Sequence, residues 1–155
     1  NGRNPIRIVC DSKLRIPLDC NICKTANEIS TLVVSAIENS EKQSELEKMG
    51  VKTLILPDKN GKVDLKKLMQ YLGEKSIDSV LIEGGGTLAY SALQAKIVNH
   101  IYSYIAPKIF GGENAKTPVE SVGVEAPDDC FKLKRTNVRE MGSDILIEYD
   151  VLEVQ

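Results

Sequence analysis

The stretch Ser79-Val80-Leu81-Ile82-Glu83-Gly84-Gly85-Gly86-Thr87-Leu88 decides how this chain is read. A short apolar run of strand type meets three consecutive glycines. A helical pattern starts at once, with Leu88, Ala89, Ala92, Leu93 and Ala95 as its packing face. A strand that becomes a helix through glycine leaves backbone N–H groups unpaired at the positive end of the helix dipole, beside a backbone with no Cβ to obstruct approach. Such a bend suits a diphosphate, and Thr87 can cap the helix or add a hydroxyl. The pattern is neither G-x-G-x-x-G nor G-K-[ST], so the Rossmann fingerprint and the P-loop both fail. The plainer alternative is a tight turn that lets helix and strand pack closely. Glu83, at the carboxyl end of the strand, faces the crevice where open α/β sheets take ligands; its alternative is a solvated loop acid.

Upstream, Arg7–Cys10 reads as a strand broken by Asp11-Ser12 and Pro17, and the β-branched run Thr31–Ala36 as a buried strand. Glu41–Met49 is helical, with Gly50 after its C-terminus, and Val51–Leu56 is the next strand, ended by Pro57. Asp58-Lys59-Asn60-Gly61 is a turn. Asp64 caps a helix whose Leu65, Leu68, Met69 and Leu72 share one face, with Gly73 expected to end it. Downstream, Ile101–Ile105 alternates as a strand with Tyr102 and Tyr104 on one face. Phe131–Val138 and Ile145–Val154 alternate around a turn at Met141–Asp144. Ile145, Ile147, Tyr149 and Val151 on one face, with Leu146 and Leu152 on the other, suit a strand that is central in its sheet or lies at a subunit interface. Strands alternating with helices give an α/β fold with a mainly parallel sheet and an antiparallel C-terminal pair.

The sequence has 155 residues, enough for one domain. Twenty Lys and Arg against 22 Asp and Glu leave a net charge of −2, which removes the electrostatic case for a dedicated nucleic-acid binder. No apolar run approaches the roughly 20 residues of a membrane span, and Asn1–Pro5 lacks the apolar core of a signal peptide. A cytoplasmic globular domain is the expectation. Cys20 and Cys23 make one C-x-x-C, whereas Cys10 and Cys130 stand alone and His100 has no partner nearby in sequence. No metal site is expected. Pro17, Asp19 and Asn21 make the C-x-x-C read as loop, and four reduced thiols are the expectation. Lys13 and Arg15, which follow Ser12, could hold a ribose or phosphate with it, or simply be solvated.

Three ordered segments carry a resemblance: N-P-I-R-I-V-C-D-S-K-L-R-I-P at Asn4–Pro17, L-I-E-G-G-G-T-L at Leu81–Leu88 and Y-I-A-P-K-I-F-G-G at Tyr104–Gly112. With the D-L-K-K-L-M helix at Asp64–Met69, they resemble the RibD-type C-terminal reductase domain of riboflavin biosynthesis. The style is nearest the stand-alone archaeal 2,5-diamino-6-ribosylamino-4(3H)-pyrimidinone 5′-phosphate reductases. The resemblance implies a dihydrofolate-reductase-like fold with helices on both faces of the sheet, NADPH as hydride donor, and a homodimer. The substrate it implies is a phosphoribosylaminopyrimidine, whose ribosyl group is reduced to a ribityl chain. Gly85, Gly86, Thr87, Leu88, Ala89, Tyr90 and Ser91 match the family's NADP-binding stretch, Ser12 another cofactor contact, and Glu83 a substrate contact. A cis peptide at Gly84–Gly85 is also expected.

Family members begin with a T-L-D-G-K-like strand, a helix and a D-D-P-x-L-T-like loop, and this sequence starts after that point. Residues 1–155 are therefore expected to form a single, N-terminally incomplete reductase domain. No general acid stands out, and the catalytic residue is unassigned. The alternative is a catalytically impaired nucleotide-binding or assembly domain of the same fold. A related reductase acting on another pterin or pyrimidine is a third reading.

Overall fold

Thr31–Ser35 is buried along its whole length, as a strand flanked on both sides must be. In the computed structural model, which describes residues 4–113 and 115–152, this strand (β2) lies between β1 (Arg7–Cys10) and β3 (Val51–Ile55), parallel to both. The polar ends of β2 are satisfied: the Thr31 hydroxyl donates to Ile29 O (2.9 Å) and that of Ser35 to Ile37 O (2.8 Å). Arg7 reaches from β1 to donate to the Thr31 and Thr25 hydroxyls and to the Ile22 and Ile29 carbonyls, which accounts for a cation on a strand of this sheet. Helix α1 (Asn21–Lys24) precedes β2, and α2 (Ser40–Lys48) joins β2 to β3. Asn39 caps α2 by accepting from Lys42 N–H, and Gly50 at φ +86° turns the chain into β3.

Helix α3 (Leu65–Glu74) closes this first compact unit, which extends to Ser76. Asp64 caps it as expected, and Leu65, Leu68 and Leu72 are buried. Gly73 does not end it. The helix runs on through the glycine, at a cost of only about 1 kcal/mol, and the chain reverses at Ser76 with φ +59°. The C-x-x-C also differs from its loop reading. Cys20 is the N-cap of α1, and the Lys24 and Thr25 N–H groups close the turn on the Cys20 and Asn21 carbonyls (3.0 and 3.1 Å).

The second unit begins at Ile77. The strand expected at Ser79–Ile82 is not formed: residues 77–85 carry no regular structure, and Val80, Leu81 and Ile82 are exposed. An apolar run becomes a strand only where a neighbouring backbone accepts its hydrogen bonds, and among the described residues this segment has no such neighbour. Helix α4 (Gly86–Gln94) follows and buries Tyr90, Ala92 and Leu93. The Gly84–Gly85 bond is trans, against expectation, and Gly85 makes the bend through φ +79°.

Three antiparallel strands complete the unit: β4 (His100–Ile105), β5 (Leu133–Met141) and β6 (Asp144–Val151), in the order β4-β6-β5. The β6 strand, apolar on both faces, takes the central place, with Leu146 buried. Gly142, at φ +67°, opens the two-residue loop between β5 and β6, and the β5 register shifts between Arg135 and Asn137. Val154, expected in this strand, lies outside the described residues. The α/β class holds, with its strands in two three-stranded sheets, one parallel and one antiparallel.

Candidate functional site

The glycine bend lies in the second unit. A Cβ added at Gly84 would meet nothing within 4 Å, and one at Gly85 would meet only Leu88 Cβ at 3.8 Å. The first helical bond of α4 runs from Ala89 N–H to Gly85 O (3.0 Å). The N–H groups of Gly86, Thr87 and Leu88 therefore precede the ladder, and among the described residues no side-chain cap is made to them. Thr87 does not take the capping role open to it in sequence. It stands after Gly85, the N-cap, and its carbonyl accepts from the Ser91 hydroxyl (2.8 Å). Glu83 is solvent-exposed immediately before the bend.

Gly86 is glycine for a different reason. A Cβ there would lie 2.6 Å from Glu120 Cγ and 2.8 Å from Glu120 N, so the segment carrying Glu120 closes directly onto the start of α4. The Glu120 carboxylate accepts from Thr117 N–H (3.3 Å) and lies 3.5 Å from Lys116 Nζ, so part of its charge is neutralised beside the bend. Tyr90 anchors the same segment: its hydroxyl donates to Gly123 O (2.8 Å) and its ring meets Phe131 edge-on at 5.8 Å. Between them lies an open cavity of about 320 Å³, lined by Tyr90, Thr117, Glu120, Ser121, Cys130 and Phe131 among others. Leu88 and Ala89 are half-buried.

Ser12 belongs to the first unit, just past the carboxyl end of β1. Its hydroxyl oxygen accepts from Val63 N–H (3.1 Å) and its carbonyl from Ala36 N–H (3.1 Å), which fixes it against the segments that leave β2 and precede α3. Asp11 supports that turn by accepting from Ile16 N–H (2.8 Å), while its other oxygen is buried and lies 3.7 Å from the Arg15 guanidinium. Lys13 is exposed. His100 is a strand-edge residue, paired with Asp150 at 2.7 Å. Lys108, Ile109 and Phe110 project into solvent ahead of Gly111 and Gly112, both at positive φ.

The RibD C-terminal domain family matches residues 1–147. This chain belongs to that family. It is 44% identical over 152 residues to the riboflavin biosynthesis protein RibD of Actinobacillus pleuropneumoniae, covering 98% of this chain and 40% of that protein. It is 32% identical to the 2,5-diamino-6-ribosylamino-4(3H)-pyrimidinone 5′-phosphate reductase of Methanothermobacter thermautotrophicus, covering 97% of this chain and 68% of that protein. Among solved structures, Acinetobacter baumannii RibD superposes with a TM-score of 0.78 at 26% identity, over 94% of this chain and 37% of that one. The chain thus spans about two fifths of the length of the first of these relatives.

Glu120 beside Gly86 and the Tyr90–Phe131 contact carry no signal in the sequence. Nothing in Thr117-Pro118-Val119-Glu120 follows a period or a known spacing, and only the folded chain shows that it lies on Gly86.

Proposed function

We propose that this RibD C-terminal domain is the reductase of its pathway step, using NADPH to reduce the ribosyl group of a phosphoribosylaminopyrimidine to the ribityl chain. The name of the archaeal relative, of which this chain covers 68%, supports the substrate class. The observation that carries the reading is the glycine bend, with an unobstructed backbone at Gly84 and Gly85 and the uncapped N–H groups that follow.

The residues fit a dinucleotide diphosphate. The free donors at Gly86, Thr87 and Leu88 sit where a helix favours an anion, and no side chain fills the approach over Gly84. On this reading the Gly85–Ser91 stretch binds the cofactor. Leu88 and Ala89 pack beside the bend, Tyr90 holds α4 from its buried side, and the Ser91 hydroxyl ties back to Thr87. Ser12, whose hydroxyl oxygen accepts from Val63 N–H, is proposed as a further cofactor contact. Glu83 is proposed to orient the substrate. When bound, NADPH supplies the hydride, and the chain supplies position and electrostatics. The homodimer belongs to the same reading, supported by the exposed apolar residues Tyr102, Tyr104, Val138 and Ile145 of the antiparallel sheet.

Calorimetric titration with NADPH tests the proposal. The chain should bind NADPH saturably, and Gly85→Val, which puts a β-branched residue at φ +79°, should abolish binding. Equal affinity in the variant would refute the assignment of the bend. Turnover at saturating cofactor then separates the reductase from a domain that binds without reducing.

A further inference from the structure

The mechanism above leaves Cys20 and Cys23 unused, yet they form the one pair of thiols that the fold brings together among the described residues. They stand one turn apart, Cys20 as the N-cap of α1 and Cys23 within it, and each side chain acts on the other electrostatically. Their surroundings differ. Cys23 is fully buried, packed with Leu14, Ile16, Ala26, Val33, Leu46 and Val51, whereas Cys20 is half-buried at the edge of that cluster. Cys10 and Cys130 are also free.

We propose that Cys20 and Cys23 are a dithiol–disulfide couple, a site of reversible oxidation by small disulfides of the glutathione class, in which Cys20 reacts first and Cys23 resolves. Two residues separate the cysteines, and one turn of helix sets their Cα atoms within the span of about 4.4–6.8 Å that a disulfide bridges. The environment divides the roles. Partial burial disfavours the Cys20 thiolate, but hydrogen bonds from the Cys23 N–H, the Cys23 thiol and the Ile22 N–H outweigh it, against Asp19, and hold its pKa below the usual thiol value. Burial, followed by the hydrogen bond and charge of Cys20, pushes the Cys23 thiol up to about 11, with Lys42 and Arg7 opposing. The accessible sulfur is thus the nucleophile and the enclosed one stays protonated.

The chemistry balances as two exchanges. The Cys20 thiolate attacks one sulfur of the small disulfide, forming a mixed disulfide and expelling one small thiolate. The Cys23 sulfur then attacks Cys20 Sγ, forming the intramolecular S–S bond, and its proton passes to the second small thiolate as that group leaves. The protein loses two electrons and two protons, and the external disulfide is reduced to two thiols. The same core holds Leu14 and Ile16, on the segment that leaves Ser12, a residue proposed above to touch the cofactor. The redox couple itself is independent of that proposal.

The full chain, reduced and then equilibrated across oxidised and reduced glutathione, would be acid-quenched, alkylated with a maleimide and mapped by peptide mass spectrometry. The expected result is concerted loss of two alkylation sites, both in the peptide spanning Cys20 and Cys23, and their recovery with excess reduced glutathione. Cys23→Ala should accumulate one glutathionyl group on Cys20, and Cys20→Ser should lose the reaction, leaving Cys23 fully alkylated after denaturation. Circular dichroism verifies folding. If Cys23→Ala does not fold, Cys20→Ser, altered only at the half-buried position, decides between the outcomes. Retention of both thiols in fully oxidised glutathione, or oxidation of Cys20→Ser at the wild-type rate, would overturn the proposal.

Discussion

In the first unit Val33, Leu46 and Cys23 are completely buried and β2 is covered at every residue, whereas in the second Leu81, Ile109 and Phe110 are 72%, 98% and 95% exposed. Both units draw on the same apolar residue types. The difference is that the parallel sheet finds backbone partners on both sides of β2 and a helix layer within its own segment. The apolar run at Ser79–Ile82 finds neither among the described residues. An apolar pattern states what can be buried, and a second surface decides whether it is. The unit that leaves apolar surface open is also the one that carries the glycine bend, and exposed patches of this kind mark places where ligands or partners sit.

The widest contrast lies in core truncation. Leu46→Ala should lower the free energy of unfolding by about 2–5 kcal/mol, read from urea denaturation, while Leu81→Ala should stay within about 0.5 kcal/mol. An equal loss at both sites would mean that residue 81 is buried in solution and would erase the distinction. Next come the cations. Arg7→Ala should cost about 2 kcal/mol, because it strips hydrogen bonds from the buried Thr31 hydroxyl and from the Ile22 and Ile29 carbonyls. Arg139→Ala removes an ion pair between an exposed guanidinium and the half-buried Glu148 (2.8 Å) and should cost about 1 kcal/mol.

The smallest effect concerns acid. The Lys62 N–H, followed against slight burial by the Asn60 N–H, holds the Asp58 carboxyl below its ordinary value. A carboxyl depressed in the folded state stabilises fully above its unfolded value and loses that contribution as pH falls through the folded one. Asp58→Asn should therefore flatten the decline of the melting temperature only below about pH 4. A difference between the two proteins at neutral pH of the same size as that in acid would argue against this.

How much of this was legible in the sequence depended on whether the signal was local. The Asp64 cap, the Leu65/Leu68/Leu72 face, the Gly50 reversal and the Met141–Asp144 hairpin each rest on residues a few positions apart, and each formed as read. Central β6 was legible because Leu146 opposes Ile145 and Ile147 across the strand, so both faces are apolar. Gly73 misled by a single residue, because the last turn of a helix tolerates a glycine and α3 ends at Glu74 with Lys75 as its C-cap. Ser79–Ile82 misled because strand formation is decided by a partner far away in sequence. At the candidate site the bend itself was visible, since three glycines before a helix admit few other readings. The approach of Glu120 to Gly86 and the locking of Ser12 by Val63 are long-range contacts without a sequence pattern.

The central claim is that the N–H groups at the start of α4 hold the paired phosphates of a dinucleotide. Amide-resolved NMR of the ¹⁵N-labelled chain during NADPH titration tests it most directly. Saturable shifts centred on Gly84, Gly85, Gly86, Thr87 and Leu88 are expected, reproduced more weakly by inorganic pyrophosphate. Binding that leaves those five amides unmoved, or no binding at all, would contradict it.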